Sequence, residues 1–217
     1  VDVDKPPLLD EGLRDSPSRE FVSEDSLDLV ESEPALSECR VPPRLSSIFY
    51  DITQLNATID DAMTRDLKLD TDHLYERVFG LYNRLLTCQS DRMSACDNSL
   101  RISLILYIKS LASNDRLNMT STNLVRKLQT SIQGCLNSST PLTRWKLFIG
   151  SMAASDGTVE QEWFLQHLAT ATAENNMMGA DGWKSFQAEL SDILWAKPIH
   201  EAAGYRLWLQ ITSPQSI

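Results

Sequence analysis

Histidine and closely paired cysteine are what this chain has least of, with three histidines and four cysteines in 217 residues. Cys39, Cys88, Cys96 and Cys135 are well separated, and none forms a C-x-x-C pair. A zinc site needs ligands that converge tetrahedrally, usually supplied as close pairs, so the cysteines read as reduced thiols and no metal is expected in this chain. His200-Glu201-Ala202-Ala203-Gly204 comes near the H-E-x-x-H pattern of zinc proteases, but glycine stands where the second ligand must sit one turn later. His73 and His167 have no ligand partner at close spacing and read as surface or cap residues.

Glycine is sparse, at eight residues. No P-loop, G-x-G-x-x-G or G-x-S-x-G pattern occurs, which removes phosphate-cradling loops and the nucleophile elbow. Gly179-Ala180-Asp181-Gly182 reads as a loop before a helix. No apolar run reaches the roughly 20 residues that span a bilayer, and no basic-then-apolar leader reads as a signal peptide. Without such a signal, the glycosylation patterns at Asn56, Asn118 and Asn137 are read as coincidental. Positive charge is also short. Lys and Arg number 20 against 30 Asp and Glu, giving −10 and a pI near 4.7, so contact with nucleic acid is not expected through this chain.

What is present divides in two. Residues 1–40 hold 12 acidic and 4 basic side chains, leaving 18 and 16 for the rest. The acidity therefore belongs to an N-terminal arm. Residues 1–44, rich in Asp, Glu, Ser and Pro, carry too little apolar surface to offset their ordering entropy and are expected to be mostly disordered. Within the arm, acids alternate with Phe21, Val22, Leu27, Leu29, Val30 and Leu36, which suits either an activation segment that folds on a partner or a solvated linker.

From Leu45 to residue 217 the pattern is helical. Ile48, Ile52, Leu55, Ile59 and Ala62 share a face, with Ser46 or Ser47 as the expected cap. Asp70, Thr71 and Asp72 precede two adjoining stripes, Leu74, Val78, Leu81, Leu85 and Tyr75, Phe79, Tyr82, Leu86, expected to make one broad buried face. Residues 99–111 are apolar nearly all round, with only Arg101 and Lys109 charged, and predict the central helix. Leu124, Leu128, Ile132 and Cys135 or Leu136 mark another. Pro141 suits the first turn of the next, on which Trp145, Phe148, Ile149 and Met152 line one side. Gly150, Ser151, Ala153 and Ala154 remove bulk there, so another backbone can approach. Asp156-Gly157 breaks that helix, and Thr158 with Gln161 is a capping-box spacing for its successor. Trp183, Phe186, Leu190 and Leu194 follow, and Pro198 separates them from Ile199, Ala203, Leu207 and Ile211. The count is roughly eight helices without a period-2 strand, hence an all-α multi-helix bundle.

Two groups are candidates for function. Asp60, Asp61 and Asp66 resemble the acidic clusters that hold magnesium and diphosphate in all-helical isoprenoid enzymes, although no facing second cluster is visible and Arg65 beside them favours a charged helix end. The aromatics Trp145, Phe148, Trp163, Phe164, Trp183, Trp195 and Trp208 are either core anchors between helices or the lining of an effector pocket.

The stretch PLTRWKLFIGSMAASDGTVEQEWFLQHL resembles the W-x-L-F-I-G…E-x-x-W-F signature of the regulatory domain of fungal zinc binuclear cluster transcription factors. GWKSFQAELSDILWAKPIHEAAGYRLW is similar to the closing W…LW…E-A-G…LW pattern of that domain, and IFYDITQLNATIDDAMTRDLKLDTDHLYERVFGLYNRLL to its upstream helices. The resemblance spans about residues 45–211. It implies a nuclear, sequence-specific regulator without catalytic activity. Its zinc-holding, DNA-binding cluster would lie upstream of Val1, since the six-cysteine cluster and basic region are not in this chain. The expected partners are the transcription machinery or co-regulators, a small-molecule effector and a second copy in a homodimer. No membrane association is implied. The alternatives are a helical small-molecule sensor and, less favoured by the residues, a magnesium-dependent enzyme using Asp60, Asp61 and Asp66.

Overall fold

A computed structural model describes residues 41–212 except 69, 89–92, 113–120, 136–139, 176 and 178. The readings of the acidic arm fall on residues 1–40, outside the described part, as do those of Leu136 and of two of the glycosylation patterns. Among the described residues there are eight α-helices and no strand: α1 (Pro43–Thr64), α2 (Thr71–Thr87), α3 (Ala95–Leu111), α4 (Ser121–Gln133), α5 (Pro141–Ala153), α6 (Val159–Ala173), α7 (Gly179–Ile193) and α8 (Lys197–Thr212). The all-α reading therefore holds.

The helix starts follow their local chemistry. Asp70 caps α2 by accepting from the Asp72 and His73 amides. Ser94 and Asp97 form a reciprocal capping box on α3. Thr140 caps α5 ahead of Pro141, whose missing N–H costs nothing at that position. Thr158 Oγ1 accepts from the Gln161 amide, while Gln161 Oε1 reaches back to the Gly157 amide, one residue before the reciprocal partner of a capping box. Gly157 takes φ +71°, a left-handed conformation that lets the chain turn the corner from α5 into α6.

Three expectations change. Neither Ser46 nor Ser47 caps α1: the helix begins at Pro43 after Pro42, and buried Ser46 donates from its hydroxyl to the Pro42 carbonyl. Gly179 to Gly182 is not a loop but the opening turn of α7. The second stripe of α2 is not wholly buried. Tyr82 is covered, but Phe79 is 46% and Leu86 39% exposed, and Tyr75 stacks on Phe79 with ring centroids 6.3 Å apart. Two neighbours, α1 and α3, cover one side of α2, and that leaves the outer edge of its apolar face uncovered.

The core runs through all eight helices. At its centre is α3, with Leu100, Ile102, Leu104, Ile105, Tyr107 and Ile108 all buried, packed against α1, α2, α4 and α5. Even Arg101 is buried. It donates to the Leu85 carbonyl near the C-terminal end of α2 and to Asn98 Oδ1, so its charge is hydrogen-bonded to one backbone and one side-chain oxygen. A second buried cation, Arg144 of α5, grips Glu189 of α7 through Nε and Nη2 at 2.8 and 2.6 Å, a two-pronged ion pair joining the two helices.

The patch of small residues on α5 does what its composition implies, though a ring rather than a backbone fills it. A Cβ on Gly150 would lie 2.6 Å from Phe164 Cδ1 and 2.7 Å from Cζ, so the α6 phenyl ring occupies the space a side chain would need. Gly80, on the outer side of α2, has nothing within 4 Å of the same position. Gly150→Ala is therefore expected to lower unfolding free energy by about 1–3 kcal/mol. Gly80→Ala should raise it by roughly 0.5–1 kcal/mol through helix propensity alone. Equilibrium urea unfolding of both variants checks this; equal shifts of the same sign would contradict the packing assignment.

Candidate functional site

The aromatics singled out in the sequence separate into three groups. Phe148, Trp183, Trp195 and Trp208 meet in one cluster with Phe186, and Trp145 borders it through Tyr107 and His200. Phe148 lies at its centre, edge-on to Phe186 at 5.2 Å and tilted against Trp195 at 5.7 Å and Trp183 at 6.4 Å. These are favourable offset and edge geometries, each adding to the burial itself. Trp145 Nε1 donates to the Leu194 carbonyl at 2.8 Å and so secures the linker between α7 and α8. Phe164 joins through its contact with Gly150. Trp163 stands apart. It is half-buried and sits edge-on to Phe164 and against His167, whose Nδ1 is 2.8 Å from the Trp163 carbonyl. Apart from Trp163, these rings are buried core anchors between helices.

Beside this cluster lies a polar seam that the sequence reading missed. Tyr107 on α3 donates to Asn56 Oδ1 on α1. Asn56 Nδ2 in turn donates to the Trp195 carbonyl and to Asp60 Oδ2, each at 3.2 Å. His200, only 1% exposed, packs its ring against Tyr107 and Trp195 at 5.3 and 5.1 Å. Ser110 Oγ gives its proton to the Tyr107 carbonyl, so His200 Nε2–H is the donor in the 2.8 Å contact with Ser110. His200 Nδ1 and Trp195 Nε1 have no hydrogen-bond partner among the described residues. The only sequence signal for this seam was a tyrosine and a serine inside an otherwise apolar helix and an asparagine in the apolar stripe of α1.

Burial sets the titration here. It pushes the His200 imidazole down to about 4 and the Asp60 carboxyl up. Tyr107 is raised far above the usual phenol range, first by burial and then by the nearby Asp60 carboxylate, with a backbone hydrogen bond from Ala196 opposing.

The three aspartates proposed as a magnesium site do not act together. Asp60 belongs to the seam, Asp61 pairs with Arg65 at 2.8 Å, and Asp66 lies beyond the end of α1 at φ +53°. Among the described residues no three His, Cys, Asp or Glu side chains converge as a metal site requires. A cleft of about 250 Å³ opens between α3, α4 and α5, floored by Leu106, Ile149 and Met152 and rimmed by Lys109, Ser110 and Ser121. Lys109 Nζ donates to Ser121 Oγ across it. A larger groove, about 710 Å³, lies between α6 and α8, lined by Leu165, Ala169, Ile211 and polar neighbours.

No family model matches this chain, and neither a curated protein nor a solved structure does.

His200 generates a pH prediction. Its folded pKa lies below its unfolded value near 6.5, so the unfolded state binds the proton first and stability falls as pH drops from about 6.5 towards 4. The full loss is roughly 3 kcal/mol. His200→Gln should flatten the pH dependence relative to the parent in that window. Parallel curves of unfolding free energy against pH for the two proteins would contradict the assignment.

Proposed function

We propose that residues 45–217 form the regulatory domain of a nuclear, fungal-type, sequence-specific transcription factor, a domain that modulates transcription by contact and carries no catalysis of its own. DNA recognition belongs to a zinc-holding cluster upstream, and the acidic arm, residues 1–44, links the two or recruits the transcription machinery. The resemblance of residues 45–211 is the basis of this reading. The observation that carries it is the use made of the signature residues. Gly150 and Phe164 fix the α5–α6 corner, Trp145 and Phe148 hold α5 against α7 and the α7–α8 linker, and the surface left for recognition includes the exposed apolar edge of α2 at Phe79 and Leu86. That edge is the candidate contact face for a co-regulator protein.

The cleft between α3, α4 and α5 favours a second role within the same reading, reception of a small apolar effector with a polar end. A thermal-shift screen tests it, and no rise in Tm with any such compound removes it.

The main reading is tested with the chain fused to an unrelated DNA-binding domain upstream of a reporter. The fusion should change reporter output several-fold, and Phe79→Asp, an exposed position, should cancel much of that change without altering helicity. Output equal to that of the bare DNA-binding domain would contradict it. So would a full reading frame without six closely spaced cysteines before Val1.

A further inference from the structure

The start of α1 and the end of α2 meet at one exposed hydroxyl. Thr87 is the last residue of α2 and is open to solvent. Arg44, in the first turn of α1, donates from Nη2 to Thr87 Oγ1 at 3.3 Å, and that hydroxyl donates to the Arg84 carbonyl at 3.0 Å. Among the described residues no carboxylate pairs with Arg44, so a full guanidinium charge rests on a neutral oxygen. Arg84 stands one turn before Thr87 on the same side of α2, is itself exposed, and bridges to Asp51 of α1 at 2.5 Å. Two cations against one carboxylate therefore gather at this junction. The α-helical ladder also stops here, because the Cys88 amide closes on the Leu85 carbonyl at 3.3 Å instead of on Arg84. Helix ends are where the backbone opens first. In sequence the same residues read Arg84-Leu85-Leu86-Thr87, an arginine three positions before a hydroxyl, the charge pattern that basophilic protein kinases select.

We propose that Thr87 is a phosphorylation site whose phosphate is held by Arg44. Thr87 Oγ1 attacks the γ-phosphorus of magnesium-bound ATP presented by a basophilic kinase. The Oγ1–P bond forms, the bond from phosphorus to the ADP oxygen breaks, and the hydroxyl proton passes to the kinase's base. Arg84 is the residue the kinase reads, and Arg44 receives the product. The phosphate brings close to two negative charges and three strong acceptor oxygens. At a helix C-terminus such charge opposes the dipole and by itself loosens the last turn. Arg44 offsets this: its contact with a neutral hydroxyl becomes a charge-assisted pair that ties the first turn of α1 to the end of α2. Ser47 stands at the same spacing from Arg44 and is exposed, but among the described residues no guanidinium reaches its hydroxyl. The geometry therefore selects Thr87.

The test incubates the folded full chain with the catalytic domain of a calmodulin-dependent protein kinase, ATP and magnesium, and maps the product by mass spectrometry. Phosphate on Thr87 is expected, absent in Thr87→Ala and reduced roughly tenfold in Arg84→Gln, each variant first checked for the parent's ellipticity. Arg44→Gln should still be phosphorylated, but phosphorus NMR separates it from the parent. The second ionisation of the phosphate, about 6 without a partner, should lie several tenths of a pH unit lower in the parent than in Arg44→Gln. No incorporation, incorporation at Ser47 in place of Thr87, equal incorporation in Arg84→Gln, or coincident phosphorus titrations for the parent and Arg44→Gln would each overturn the proposal.

Discussion

The fold depends on two places where a side chain is missing. Gly150 leaves room for the Phe164 ring, and Gly204 leaves room for Trp195, whose Cη2 lies 2.6 Å from where a Cβ would sit, with Phe148 and Trp183 close behind. Interiors pack at crystal-like density, so a ring can enter such a position only if bulk is absent there. The first vacancy lets α6 close tightly on α5; the second seats α8 over the aromatic cluster. Phe148, facing Trp183, Phe186 and Trp195 and lying beside Gly204, joins α5 to α7 and α8, while α6 is held to α5 through Phe164 and Gly150.

Polar groups in the interior are tolerated because they close contacts between helices. Arg144 with Glu189 ties α5 to α7, Arg101 meets a carbonyl near the end of α2, and Lys146 bonds to Ser99 and Cys96 on α3. A buried charge is costly unless it is paired or hydrogen-bonded. Each of these cations joins two helices, so losing the contact would leave a buried charge exposed to that penalty. Tyr107, Asn56 and His200 do the same at lower charge between α1, α3 and α8, with His200 Nδ1, which has no partner among the described residues, as the weak point.

Much of this was legible in the residue pattern because helical periodicity and capping are local. The apolar run at 99–111, the Asp70 cap, the Gly157 break and the packing role of Gly150 follow from residues a few positions apart. The covered and uncovered sides of α2 did not, since which stripe is buried depends on where α1 and α3 end up. The seam at Asn56, Tyr107 and His200 joins positions far apart in the chain, and no single residue there has a distinctive spacing. Ser46 was misread as a cap because Pro42 and Pro43 start the helix earlier than the first apolar repeat. Gly179 to Gly182 was misread as a loop because two glycines in four residues usually signal one; a Cβ on Gly182 would lie 2.9 Å from the Met177 backbone and from Trp208.

On this account the aromatics Trp145, Phe148, Trp183, Trp195 and Trp208 serve cohesion among the helices, so that the proposed regulatory contacts fall to the surface. That requires the helices before and after α5 to share one cooperative core through Phe148. The most direct measurement is equilibrium urea unfolding of Phe148→Leu, followed in parallel by far-ultraviolet ellipticity and tryptophan fluorescence. One coincident transition, displaced by about 1–3 kcal/mol from the parent, is the predicted result. Two separated transitions, or a midpoint unchanged from the parent, would contradict a single core organised around that ring.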